Sequence, residues 1–208
     1  MLEIDGLEIE ESELVYKPAE DSFLAMKAIS KIASKMGRKE VDVADIGTGT
    51  GLLGIYAASM LNTKRLVLAD INPHAVELAK RNYKLNRLKL KNKNTDVEII
   101  RSDLLQNIQG RFNLIIFNAP YLRGSISSHL PIIEKAWNGG RRGIEVSEEY
   151  LNEAQTKLRE NGTVLLIASS LSDFEGLKER IKELGYRIDD IIKEHYFFED
   201  IIALTLKR

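Results

Sequence analysis

The 208-residue chain contains no cysteine, which removes disulfides, thiolate metal sites and a cysteine nucleophile together. That absence fits a reducing compartment. Histidine is nearly as scarce: His74, His129 and His195 are scattered without ligand spacing, so surface or turn positions are expected and no metal site. Charge of one sign is missing too. A net charge of −1 gives no global field to draw the protein onto nucleic acid or an anionic membrane. No apolar run approaches membrane-spanning length. The start Met1-Leu2-Glu3-Ile4-Asp5 lacks a basic region followed by an apolar one, so no signal peptide is expected. The expectation is one soluble, cytoplasmic α/β domain over residues 1–208, with 1–40 as a hairpin and helix packed on the core.

What is present follows an alternating order. Leu2 to Ile9 alternates around Asp5-Gly6, a hairpin signal. Apolar positions Ala25, Ala28, Ile29, Ile32, Ala33 and Met36 predict an amphipathic helix over Ala19–Lys35. Strands are expected at Val41–Asp45, Leu66–Asp70, Val97–Ile100, Phe112–Phe117 and Thr163–Ala168. Helices are expected at Leu52–Leu61, after the Asn72-Pro73 start, at Ser147–Arg159 and at Phe174–Leu184. Lys84 to Asp96, rich in Lys and Asn, reads as a fraying helix end and loop. Tyr186–Phe197 and Ile201–Leu206 close the chain as an antiparallel pair. This is the pattern of a doubly wound sheet ending in a hairpin, with ligands at the carboxyl ends of the strands.

Asp45-Ile46-Gly47-Thr48-Gly49-Thr50-Gly51 lies between a strand and a helix. Its glycines permit positive φ and close backbone approach, and the helix offers free N–H groups. Two registers fit. Asp45-x-Gly47-x-Gly49-x-Gly51 is the pattern of S-adenosylmethionine methyltransferases. Gly49-Thr50-Gly51-Leu52-Leu53-Gly54 also spells the dinucleotide fingerprint, with Asp70 near the offset of a ribose-binding acid. The first is favoured because the Asp45 carboxylate suits a cationic methionine moiety better than a pyrophosphate. Asp70 then serves both ribose hydroxyls. Asp70 or Asp103 alone would read as a solvated turn residue.

Asn118-Ala119-Pro120-Tyr121 follows the apolar run Phe112–Phe117. An amide nitrogen is a poor nucleophile because its lone pair is delocalised, so its methylation needs a planar NH₂ held in line with the donor. The Asn118 side-chain oxygen can accept one N–H and the Ala119 carbonyl the other, while Tyr121 stacks on the plane. Pro120 biases Ala119 towards an extended conformation. Without the glycine turn upstream, the same four residues are an ordinary strand-to-loop turn.

These motifs resemble the HemK-type methyltransferases, in particular their short archaeal and eukaryotic branch. The match runs through Val15-Tyr16-Lys17-Pro18-Ala19-Glu20-Asp21-Ser22-Phe23, Asp45–Gly51 and Asp70-Ile71-Asn72-Pro73. It continues through Ser102-Asp103-Leu104, Asn118–Tyr121 and Trp137–Gly143. The resemblance implies a Rossmann-like sheet of seven strands (the class I methyltransferase fold) and S-adenosyl-L-methionine as cofactor. Its implied substrate is the glutamine of the Gly-Gly-Gln tripeptide in a class 1 translation release factor. On that pattern Ser22, Asp45, Gly47, Gly49, Gly51, Asp70, Asp103, Leu104 and Asn118 line the cofactor. Asn118, Ala119, Pro120 and Tyr121 hold the substrate, with Asn118, Pro120 and Tyr121 in the catalytic turn.

The branch also implies a small zinc-binding activator protein, which adds a strand beside Val97–Ile100. An edge guarded by the Lys-rich loop is the alternative. The sequence departs from the branch at two points: Ala119 replaces a usual proline, and Ile144 stands where arginine often follows Gly143.

Other acceptors stay open at this point. An N6-adenine methyltransferase would extrude its base, yet no target-recognition domain is read, and Arg141-Arg142 beside the site is the only suggestive basic pair. A lysine amine is a further alternative. An NAD-linked oxidoreductase would need a hydride-transfer residue that the sequence does not offer.

Overall fold

A computed structural model describes residues 1–124 and 136–208. Its seven-stranded sheet runs β5-β4-β3-β6-β7-β9-β8. The strands are β3 (Val41–Ile46), β4 (Thr63–Asp70), β5 (Asp96–Arg101), β6 (Phe112–Asn118), β7 (Leu158–Ser169), β8 (Arg187–Tyr196) and β9 (Glu199–Lys207). β3 to β7 are parallel, and β9 slots antiparallel between β7 and β8. The chain winds outward from β3 to β5, then restarts at β6 on the other side. The switch point therefore lies between β3 and β6, where a doubly wound sheet opens its ligand crevice.

Helices α1 (Glu20–Met36), α2 (Leu52–Met60), α3 (Pro73–Asn86), α4 (Glu145–Lys157) and α5 (Phe174–Glu183) cover the sheet. One apolar cluster fills each face, α1 and α2 contributing to one and α4 and α5 to the other. The inner strands are buried on both faces, which is why they read as continuous apolar runs.

The N-terminal hairpin, β1 (Leu2–Ile4) and β2 (Leu7–Ile9), turns through Asp5 and Gly6 with φ of 45° and 77°, the conformation a two-residue loop favours. α3 holds it. Asn86 accepts the Glu8 N–H at 2.9 Å and donates to the Glu8 carbonyl at 2.7 Å, and Asn82 does the same for Glu10 at 2.8 and 3.1 Å. These contacts bring residues 10–19 across the carboxyl ends of the strands.

Both ends of α4 differ from expectation, and several strands run a few residues longer than expected. α4 begins at Glu145 because its carboxylate accepts the backbone N–H groups of Arg142 and Ile144, closing the helix start two residues early. It ends at Lys157 because Leu158 and Arg159, expected in the helix, belong to β7, where Leu158 pairs with Phe112. His74 and His195 are exposed, as expected of surface positions, while His129 lies outside the described residues.

Candidate active site

Two cavities meet at the carboxyl ends of the central strands. The first, about 390 Å³, lies over the β3–β6 switch point. Gly47 lines it with φ of 63°, and a Cβ there would stand 3.1 Å from the Phe117 ring. Phe117 is held in turn by the Tyr150 ring, centroids 4.4 Å apart. The glycine thus lets the backbone drop to the cavity floor.

Asp70 lines the same cavity from the end of β4, accepting the Gly49 N–H and the Asn72 N–H at 2.9 Å each. Burial raises its carboxyl above the ordinary value, opposed by those two bonds. Asn72 accepts the His74 N–H as the N-cap of α3 and donates to the Leu14 carbonyl at 2.8 Å, pinning the N-terminal segment. Beyond β5, Ser102, Asp103 and Leu104 form a further wall. Leu104 has φ of 44°, a left-handed conformation that a branched side chain seldom adopts and that marks a constrained site. Ser22 and Asn118 complete the set of expected residues on this lining.

Asp45, Gly49 and Gly51 are not on that lining. Asp45, expected to meet the methionine moiety, is 1% exposed behind the turn. Its Oδ2 accepts the Thr48 hydroxyl at 2.6 Å and the Gly54 N–H at 2.8 Å. It knits the glycine turn to α2, and burial pushes its pKa up to about 7. Gly51, with φ of 84°, is the N-cap of α2, and a Cβ there would press on Ala79 at 3.2 Å. These residues shape the loop from behind.

The second cavity, about 520 Å³, shares Tyr16, Asn118, Pro120 and Ala136 with the first and adds Ala119 and Tyr121. Tyr16 stands between the two, its hydroxyl donating to Asp21 Oδ2 at 3.1 Å. Tyr121 donates to the same oxygen at 3.4 Å, and burial followed by that carboxylate raises its phenol well above the ordinary value. Tyr121 is therefore a neutral ring and not a base.

The turn is clamped from the far side. Leu122 N–H donates to the Trp137 carbonyl and Gly139 N–H to the Leu122 carbonyl, both at 2.9 Å. A Cβ on Gly139 would meet the Pro120 carbonyl at 2.5 Å, and one on Gly143 would meet the Tyr121 carbonyl at 2.5 Å. The glycines after Trp137 are what let this loop close on the turn. Among the described residues two buried side-chain atoms lack a hydrogen-bond partner: the Tyr150 hydroxyl, inside the core, and Oδ1 of Asn118, a residue that lines both cavities.

The methyltransferase small domain family matches residues 26–191. A provisionally named protein N5-glutamine methyltransferase of Methanocaldococcus jannaschii is 34% identical over the whole of this chain and 99% of its own length. The chain belongs to the HemK-type methyltransferases. The catalytic subunit of the eRF1 methyltransferase of Schizosaccharomyces pombe, mtq2, is 27% identical across 97% of this chain and 93% of its own. The Mtq2–Trm112 complex of E. cuniculi superposes with a TM-score of 0.66 at 22% identity, covering 94% of this chain and 99% of that one. A Pyrococcus furiosus methyltransferase gives 0.68 at 23%, covering 98% and 90%. The doubly wound sheet with its terminal hairpin is thus the class I methyltransferase fold, and the chain is an S-adenosylmethionine-dependent enzyme of that class.

Among the lining residues of the methyltransferase's first cavity that the sequence pattern missed are Glu145, Val146 and Glu149, at the start of α4. Burial, then Glu153 and Asp103, raises the Glu149 carboxyl. No glycine or proline marks these positions; only an acidic first turn, which also caps a helix, signals them.

Proposed function

We propose that this methyltransferase transfers the methyl group of S-adenosyl-L-methionine to the side-chain N5 of the glutamine in the Gly-Gly-Gln motif of a class 1 release factor. One observation carries the reading: Asn118 and Pro120 line both cavities, so donor and acceptor would meet at the end of β6.

The first cavity suits the cofactor. Its lining includes Asp70, Asp103, Glu145 and Glu149 and, among the described residues, no Lys, Arg or His. A cationic sulfonium with an ammonium group is favoured there, and the pyrophosphate of a dinucleotide is disfavoured. Asp70 would take the ribose hydroxyls, Asp103 and Leu104 would flank the adenine, and Gly47 and Ser22 would lie along the methionine moiety. When bound, the cofactor supplies an electrophilic methyl on a sulfur that leaves as a neutral thioether.

The residues of the turn handle the amide. Asn118 Oδ1 would accept one amide N–H and the Ala119 carbonyl the other, fixing the NH₂ plane and the approach of the nitrogen lone pair. A buried unpartnered carbonyl oxygen costs about 1–3 kcal/mol, so a donor arriving there is bound in the place where the reaction needs it. Tyr121 would pack on the amide plane with Asp21 holding its hydroxyl. The nitrogen becomes acidic as the new N–C bond forms, so its proton is lost without a strong base in the turn. Ala119 keeps the carbonyl that a proline would have supplied.

A small partner protein would add a strand to β5. That strand lies at the sheet edge, paired among the described residues only with β4, and α3 packed against it leaves Leu85 exposed. A zinc-binding activator fits that role.

The test is methyl transfer from labelled S-adenosylmethionine to a class 1 release factor, with and without the partner protein. Its Gly-Gly-Gln→Gly-Gly-Ala form and duplex DNA serve as controls. Label on the unaltered factor alone is expected. Label on DNA, or on the factor regardless of that glutamine, overturns the substrate.

A further inference from the structure

The turn between β8 and β9 is an unusual place for its residues. Tyr196 pairs with Glu199, leaving Phe197 and Phe198 as a two-residue loop. Such loops favour Asn, Asp and Gly. Here Phe197 holds φ of 48°, and the two rings are 90% and 94% exposed. Neither ring serves the core, and an aromatic at positive φ is the wrong residue for the turn alone.

Both rings line the second cavity, across from Trp137 and Leu171, which are also exposed. The same cavity carries Glu20, Asp21 and Glu199 and, among the described residues, no Lys or Arg. An acceptor side chain that reaches Asn118 through this opening must bring its own flanking backbone past these rings. Exposed aromatic faces beside carboxylates are what a cationic polypeptide meets favourably, by packing of its methylene stems, by cation–π contact and by charge.

We propose that the Phe197-Phe198 turn, with Trp137 and the Glu20 and Glu199 carboxylates, is the docking surface for the segment flanking the methylated residue. That segment is extended and bears Lys or Arg within a few residues of the acceptor. The inference rests on the acceptor being a residue of a protein, as argued above, and adds what the enzyme reads around it. A lipid surface is disfavoured by the three carboxylates. A second copy of this chain would bring the same aromatic and acidic surface against itself.

The test compares the wild type with the double variant Phe197→Asn/Phe198→Gly, which supplies the residues the turn prefers, and separately with Glu20→Lys. KM and kcat are measured on the intact release factor, and cofactor affinity by calorimetry. KM for the factor is expected to rise by roughly tenfold in the double variant and severalfold in Glu20→Lys, with kcat and cofactor affinity unchanged. An unchanged KM in the double variant overturns the docking surface while leaving the glutamine reading intact. A loss of cofactor affinity overturns it too, because the turn would then be structural. Failure of the wild type to methylate the factor, with cofactor bound, sinks the glutamine reading and this inference with it.

Discussion

The two cavities share a wall but are built differently. The first is made where β3, β4, β5 and β6 end, so backbone geometry fixes it: a glycine floor, a carboxylate at the end of β4 and a left-handed Leu104 after β5. The second is assembled from Tyr16, Ala19 to Asp21, the Asn118–Leu122 turn, Trp137, Leu171 and the β8–β9 turn. The first suits a ligand that is always the same. The second has a wall of side chains on loops, the kind of surface that can change with its acceptor while the sheet stays as it is.

If the division is right, Asn118→Ala separates the cavities most sharply. Removing this unpartnered side-chain acceptor should lower turnover by about 10²–10³, the scale of losing one preorganised hydrogen-bonding group in an active site. Cofactor affinity should change little. Isothermal titration beside single-turnover rates would decide it, and near-normal turnover would remove Asn118 from its proposed role.

Asp70→Ala should act on the other side. It deletes the acceptor for the Gly49 and Asn72 N–H groups as well as the proposed ribose contact. Cofactor affinity should fall by about 10²-fold, with a loss of thermal stability from the freed turn. An unchanged affinity would show that the end of β4 does not touch the cofactor.

The contrast also explains what could be read from the sequence. Gly47, Asp70 and Asn118 were legible because special backbone or a strand end needs those residue types at those spacings. Asp45 was legible as a member of the motif but not in its place. Its carboxylate turns back to Thr48 and Gly54 because α2 starts close above it: a Cβ on Gly54 would lie 2.9 Å from the Asp45 Cβ. Glu149 and Phe197 reach the cavities through tertiary packing, and Phe197 breaks the rule for its turn, so local pattern could not find them. The end of α4 failed for a similar reason. Leu158 continues a helical spacing, yet pairing with Phe112 across the sheet outweighs one more helical residue.

Asp45 offers a pH test of its buried position. Its folded pKa, about 7, lies above the ordinary 3.8. The folded state therefore holds the proton longer than the unfolded chain. The resulting stability is fully present below the unfolded pKa and is lost as pH rises through about 7. Between these limits the slope from this one group approaches about 1.4 kcal/mol per pH unit. Asp70, also raised by burial, pulls the same way. Urea unfolding of the cofactor-free protein at pH 5, 6 and 7 should show the wild type losing stability relative to Asp45→Asn. Parallel slopes would mean that water reaches Asp45 and that it belongs to the cavity after all.

The smallest effect is expected from Asp21→Asn, and it probes the second cavity without altering its shape. Asp21 is 3% exposed, and one of its oxygens receives both the Tyr16 and Tyr121 hydroxyls. An amide at that position keeps one acceptor oxygen but removes the charge that strengthens both bonds. Tyr121 should wander more at the acceptor plane, lowering kcat by about threefold to tenfold while cofactor affinity holds, since positioning errors act on the rate. Tyr121→Phe should lose a similar amount, and the double variant no more than either alone, because both changes act on the same Tyr121–Asp21 bond. Additive losses in that cycle would mean that Asp21 meets the substrate directly, and the acidic wall would then be part of the chemistry as well as of docking.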